Sequence, residues 1–187
     1  FADGSLIKAK NDFKKVLWIG DSITQGYGSL ESGQTIVNLT SRMLGFDSLN
    51  QSISGYGYNT IIVKELAGYF PDYIVVAMGT NNFKDGNTKG IIEKFYENIT
   101  KVFPNVPICA ITPYWRNDLR GVDGLWNELN ENIYEVTSNY ECVKVFDGQT
   151  FIPHEDKYFI DGVHPNGLGV QSCSEKLSEV LKKTWKL

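Results

Sequence analysis

Val16-Leu17-Trp18-Ile19-Gly20-Asp21-Ser22-Ile23-Thr24 opens as an apolar run and breaks off on a glycine, an aspartate and a serine. Four apolar residues between Lys15 and Gly20 read as a short strand buried on both faces, as in a parallel sheet. Gln25-Gly26-Tyr27-Gly28 follows, too rich in glycine to continue a strand. Ser22 therefore stands just past the C-terminal end of a strand, the place where open α/β sheets bind ligands.

Outward from this stretch, short apolar runs alternate with helical stripes. Strands are expected at 15–20, 47–53, 73–78, 107–111 and 143–146, the third being apolar on both faces and so central. Gln34 to Leu44 reads as a helix with Ile36, Leu39 and Met43 inward, and Asn59 to Phe70 as one with Ile62, Leu66 and Tyr69 inward. Lys89 to Phe103 gives the clearest stripe, through Ile91, Ile92, Phe95, Ile99 and Val102. Trp126, Leu129, Ile133 and Val136 mark another helix, and Val170, Cys173, Leu177 and Val180 the last. Such alternation with short links specifies a parallel sheet with helices on both faces. Three longer links, 79–89, 112–124 and 148–165, all follow strands and so share the face that carries Ser22.

A serine needs a base to become a nucleophile, and the chain holds two histidines, His154 and His164. His164 lies in Asp161-Gly162-Val163-His164-Pro165, where a carboxylate three residues earlier can reach Nδ1 across a turn. His154 has no such motif and reads as a loop residue near the rim. Acyl transfer also needs donors for an oxyanion. Ser52-Ile53-Ser54-Gly55 and Gly79-Thr80-Asn81-Asn82 offer a backbone N–H beside a glycine and an asparagine amide.

Serine, glycine, asparagine and histidine, each at a strand end and in that order, resemble the four blocks of the SGNH, or GDSL-type, hydrolases. The resemblance runs from Lys15 nearly to the C-terminus. It implies a flavodoxin-like three-layer α/β/α sandwich around a five-stranded parallel sheet of order 2-1-3-4-5. It also implies Ser22 as nucleophile, His164 as general base, Asp161 as the residue that orients it, and no cofactor. The implied oxyanion donors are the N–H groups of Ser22 and Gly55 and the side chain of Asn81, with Gly57 the weaker alternative to Gly55. Asn82 stands where the family usually has aspartate, a supporting position at which restoring aspartate is expected to be mild in comparison with replacing Asn81.

The 187 residues suffice for one domain, a lead-in at 1–14 followed by the hydrolase domain at 15–187. Hydrophobic content of 42%, charged content of 21% and a net charge of −4 give no reason to expect nucleic acid or an anionic membrane as partner. No apolar run approaches the roughly 20 residues of a membrane helix. Phe1 is not a methionine; a preceding segment with an export signal would make the protein secreted or cell-surface, and otherwise the cytoplasm is expected. Three cysteines without metal-type spacing read as buried thiols, with a Cys109–Cys142 bridge as the alternative. Neither G-x-G-x-x-G nor a Walker motif nor a G-x-S-x-G elbow is present.

The expected activity is hydrolysis of short-chain carboxylic esters, foremost O-acetyl groups on a carbohydrate, with Tyr56, Tyr114 and Trp115 as candidate substrate contacts. The same chemistry on a lysophospholipid or acyl thioester is the alternative. A catalytically silent ligand-binding domain is the alternative of another class.

Overall fold

The computed structural model describes residues 12–64, 68–119 and 123–187. Five strands, β1 (Lys14–Gly20), β2 (Phe46–Asn50), β3 (Tyr73–Ala77), β4 (Ile108–Ile111) and β5 (Val143–Phe146), form one parallel sheet of order β2-β1-β3-β4-β5. This is the order that the family resemblance implies. Helices α1 (Ser22–Gln25), α2 (Ile36–Leu44), α3 (Thr88–Val102), α4 (Asp123–Thr137) and α5 (Gly167–Trp185) complete the three layers.

Period-two alternation along the strands divides the core in two. Leu17, Ile19, Ile74, Val76, Ile108 and Ala110 face α3 and α4, where Ile92, Phe95, Ile99, Leu129, Ile133 and Val136 meet them. Val16, Trp18, Val75, Ala77, Cys109 and Ile111 face α2 and α5, against Ile36, Val37, Val170, Cys173, Leu177 and Leu181. Val16, Leu17, Ile19, Ile74, Val75 and Val76 are all 0% exposed, so each contributes on the order of 1.5–3 kcal/mol by leaving water. The sheet is therefore anchored at β1 and β3. Gly20 pairs with Ala77 in the register of these two strands, which sets the loops after them side by side at one end of the sheet.

Side-chain caps fix where the helices start. Thr35 accepts from the Asn38 N–H, Asn87 from Gly90 and Asn166 from Leu168 and Gly169. Two helical expectations are corrected. Ser32–Gln34 form a separate 3-10 turn, so α2 starts at Ile36; its buried stripe is Ile36, Val37, Thr40 and Ser41, and Met43 is exposed. Ser41 can occupy that stripe because its Oγ bonds Ser48 Oγ at 2.7 Å, beside the Trp18 Nε1–H bond to the same Ser48 oxygen at 3.0 Å. A helix over 59–70 is replaced by a 3-10 turn at Thr60–Ile62, with Ile61 and Phe70 exposed; Leu66 lies outside the described residues. Tyr69 is held instead by its hydroxyl, 3.1 Å from the carbonyls of both Val16 and Asp47.

Cys109, Cys142 and Cys173 are free thiols, which removes the Cys109–Cys142 bridge. Burial pushes the Cys173 thiol up to about 12, against a weaker downward pull from Tyr114, and raises Cys109 further still. Among the described residues no helix is long and apolar enough to cross a membrane.

Candidate active site

Ser22 owes its place to three neighbours in sequence. A Cβ on Gly20 would lie 2.3 Å from Thr24 Oγ1 and 2.8 Å from the Ala77 carbonyl, so only glycine lets the chain turn back against β3. Asp21 caps α1, its Oδ1 accepting from the Ile23 N–H at 3.0 Å. Gly26 ends the helix after one turn at φ +106°, its N–H bonded to the Ser22 carbonyl at 3.0 Å. Asp21 is 2% exposed; burial pushes its carboxyl up to about 6, opposed by the Ile23 N–H and by the charges of His164 and Arg116.

Ser22 Oγ lies 2.9 Å from His164 Nε2, and His164 Nδ1 lies 2.7 Å from Asp161 Oδ2. The other Asp161 oxygen accepts the backbone N–H groups of Val163 at 3.0 Å and His164 at 2.8 Å. One carboxylate thus closes the turn and meets the imidazole. Partial burial raises the Asp161 carboxyl, but the His164 N–H, the imidazole and the Val163 N–H outweigh it and hold the group below the usual carboxylate range. An ionised carboxylate only accepts, so Nδ1 carries a proton; the neutral form of the imidazole then has its lone pair on Nε2, facing the serine hydroxyl.

The loop after β2 is clipped to this turn. Ile53 N–H donates to the Gly20 carbonyl at 3.1 Å, Ser54 N–H to Gln25 Oε1 at 2.8 Å, and Asn50 Nδ2 to the Thr24 carbonyl at 2.9 Å. Tyr56 N–H closes a turn onto the Ile53 carbonyl at 3.2 Å, with Gly55 at φ +78° in its third position. The loop after β3 meets it where Asn81 Nδ2 donates to the Tyr56 carbonyl at 2.9 Å. The candidate donors Gly55 and Asn81 thus sit on two loops that touch.

Sequence reading missed two residues here. Arg116 Nη1 donates to the Thr80 carbonyl at 2.9 Å, and its Nε and Nη2 grip the Asp118 carboxylate at 2.8 and 2.6 Å. Its guanidinium also lies 5.4 Å from the Phe83 ring centroid. With Asn117 N–H donating to the Gly162 carbonyl at 2.7 Å, this segment joins the loop of Asn81 to the loop of Asp161 and His164. The signal available was an arginine two residues before an aspartate in a strand-end loop. Tyr27, one of the aromatics of the active-face loops, is the second, in that sequence reading assigned it no definite role: its ring lies against His164, and the Tyr27 N–H is fixed on the Ser22 carbonyl at 2.9 Å.

The candidate substrate contacts divide. Tyr114 is only 4% exposed and packs toward Phe151, so it offers no face to a ligand. Trp115 is half-buried, stacked on His154 at 4.7 Å between centroids and tilted against Phe159. Tyr56 is half-buried and lines a hollow of about 420 Å³ with Gly55, Gly57, Asn59, Asn82 and Asp85. His154 bonds the Gln149 carbonyl through Nε2 at 2.7 Å, an attachment apart from the Ser22–His164–Asp161 chain of contacts. Among the described residues no group of three or more His, Cys, Asp or Glu is placed to hold a metal ion.

The fold recurs in solved structures. A GDSL-like lipase of Bacteroides ovatus superposes at a TM-score of 0.79 with 23% identity, over 96% of this chain and 56% of the other. An acetyl xylan esterase, Est2A, of Butyrivibrio proteoclasticus superposes at 0.73 with 19% identity, over 97% and 66%. A family two carbohydrate esterase of Clostridium thermocellum, solved with cellohexaose, superposes at 0.75 with 18% identity, over 97% and 68%. The chain thus spans less than two thirds of the first two of these proteins. Among curated proteins no sequence matches it. The model of the GDSL-like lipase/acylhydrolase family matches residues 18–171, from β1 into α5, and the chain belongs to that family.

Proposed function

We propose that the chain hydrolyses short-chain carboxylic esters, O-acetyl groups on a carbohydrate foremost, through an acyl-enzyme on Ser22. The observation that carries the reading is the unbroken contact from Ser22 Oγ to His164 Nε2 and from His164 Nδ1 to Asp161. Ser22 Oγ attacks the ester carbon while its proton passes to Nε2, and Asp161 stabilises the imidazolium without taking the proton. The tetrahedral oxyanion is met by the N–H of Ser22, by the N–H of Gly55 and by the Asn81 amide. Ser22 is the first residue of α1, where a backbone N–H has no acceptor within the helix. Collapse breaks the bond to the alcohol oxygen, which leaves with the proton from Nε2. Water then attacks the acyl-enzyme with His164 again as base, releasing the acid and restoring Ser22.

Two things support a carbohydrate as the alcohol part. Both named esterases with this fold carry carbohydrate in their descriptions, an analogy of fold alone. A half-exposed aromatic ring, Tyr27, also stands beside the base that protonates the leaving alcohol. A lipid or thioester is the second reading, favoured by the exposed Ile160 and Leu168 on either side of the Asp161–His164 turn in sequence. A silent binding domain has no chemical use for a serine hydroxyl aimed at a carboxylate-backed imidazole.

The test is a fluorophosphonate probe followed by p-nitrophenyl esters from acetate to laurate and by acetylated xylan. A single adduct on Ser22, absent in Ser22→Ala, with fastest turnover on acetate, is the expected result. An active enzyme labelled elsewhere overturns Ser22 as nucleophile, and a preference for laurate overturns the acetyl substrate.

A further inference from the structure

Asn82 is 5% exposed and uses both ends of its amide. Oδ1 accepts the Tyr58 backbone N–H at 2.7 Å, and Nδ2 donates to Asp85 Oδ2 at 2.8 Å. The two partners fix which end is which: a backbone N–H needs an acceptor, and a carboxylate needs a donor. Two backbone bonds hold the segment itself, from Asn82 N–H to the Gly79 carbonyl at 2.8 Å and from Asp85 N–H to the Asn82 carbonyl at 2.9 Å. Gly57 lies flat on the amide. A Cβ there would fall 2.3 Å from both Nδ2 and Oδ1 of Asn82. One residue earlier in each segment, Asn81 Nδ2 holds the Tyr56 carbonyl.

We propose that Asn82 and Asp85 are a positioning pair that locks the loop of Gly55 onto the loop of Asn81 and so keeps the oxyanion donors in register. The inference rests on the proposed acyl transfer at Ser22. Neither residue touches the reacting atoms; they act through Tyr58 and Gly57 on the turn at Gly55, two residues away. Asparagine is required here by its partner. An aspartate at 82 could still accept from Tyr58, but its second oxygen would face the Asp85 carboxylate where a donor is needed, and like charges at that distance repel. Restoring the family's usual aspartate is therefore costly in this chain, though less so than replacing Asn81. A lock made of two short side chains and two neighbouring backbones is rigid, which preorganised donors need.

The experiment exchanges the pair. Asn82→Asp should lower kcat on p-nitrophenyl acetate at pH 8 by on the order of tenfold to a hundredfold, the effect of small misplacement of a catalytic group. Asp85→Asn should stay near the parent, since an amide oxygen can still accept from Asn82. The exchanged double variant, Asn82→Asp with Asp85→Asn, should recover most of the loss, because carboxylate and amide then face each other again. Parental kcat in Asn82→Asp, or no recovery in a double variant whose Tm matches the parent, overturns the proposal. Backbone exchange at Tyr58 gives an arm that needs no turnover: it should be slow in the parent and faster in Asp85→Ala. Equal Tyr58 exchange in both proteins overturns the lock. A parent that turns over no ester overturns the esterase reading instead and leaves the exchange arm to decide.

Discussion

Tyr27 lies against His164 with ring centroids 4.3 Å apart and planes tilted by 50°, while 56% of the tyrosine remains exposed. In the proposed reaction a leaving alcohol must come within reach of the proton on Nε2, so the imidazole would mark the alcohol side of the site. An exposed ring there can stack on a sugar or an aryl group. Tyr27→Ala should lower kcat/KM for acetylated glycosides and phenyl acetate by up to about tenfold, in line with the worth of one aromatic contact. Ethyl acetate should change far less, and Tyr27→Phe should behave as the parent. An equal loss on every alcohol would show that the ring only steadies His164.

The two histidines are separated by their attachments. His164 is backed by Asp161 and meets Ser22, whereas His154 is stacked on Trp115 and bonded to Gln149. His164→Ala should reduce kcat by on the order of 10⁴-fold or more, and His154→Ala by less than about tenfold. Asp161→Asn should fall between them, since it keeps the turn to Val163 and His164 but loses the charge that favours the imidazolium. Steady-state rates on p-nitrophenyl acetate check the order; a larger loss at His154 would exchange the two roles.

What could be read in advance followed from local chemistry. β1, β3 and β4 were legible because each is a short apolar run closed by glycine or polar residues, and α4 because Trp126, Leu129, Ile133 and Val136 all turn inward; β2, expected over 47–53, is Phe46–Asn50 and carries Asp47, Ser48 and Asn50 among its five residues. The stretch 59–70 was misread because apolar spacing cannot tell a helix from a loop pinned by other means. Asn59 caps the Ile61 N–H, and the Tyr69 hydroxyl reaches the carbonyls of Val16 and Asp47, contacts that depend on the assembled sheet. The Asp161–His164 pair was legible as a three-residue turn. Arg116, Tyr27 and the Asn82–Asp85 pair were not, because each acquires its meaning from a partner on another loop or from how far it is buried. Tyr114 shows the same limit: a tyrosine in a polar loop gave no sign that it points into the core.

Asn81 has one observed bond and one proposed role, which a single substitution cannot separate. Its Nδ2 donates to the Tyr56 carbonyl at 2.9 Å, and a primary amide has a second N–H that can meet the oxyanion. Asn81→Ala should cost about 2.7–4 kcal/mol of barrier, a fall of 10²–10³ in kcat, with KM little changed because the oxyanion exists only in the transition state. Asn81→Asp should lose at least as much, since a carboxylate donates to neither group. A rise in KM at constant kcat would mean that Asn81 holds substrate, leaving the backbone of Ser22 and Gly55 as the donors.

Asp21 ties stability to pH through the same turn that presents Ser22. Burial pushes its carboxyl up to about 6 from an ordinary 3.8, against the Ile23 N–H and the charges of His164 and Arg116. The folded state therefore holds this proton more tightly than the unfolded chain does. Its contribution is most favourable below pH 4 and is lost as pH rises through 6, by roughly 3 kcal/mol in all. Asparagine caps a helix as well as aspartate does and carries no charge to bury. Asp21→Asn should gain stability relative to the parent as pH rises from 4 to 7, with the difference level above 7. Urea unfolding of both proteins at pH 4.5 and pH 8 reads this directly. A difference that is the same at both values would mean that the Asp21 carboxylate is satisfied where it lies and that its burial costs the fold nothing.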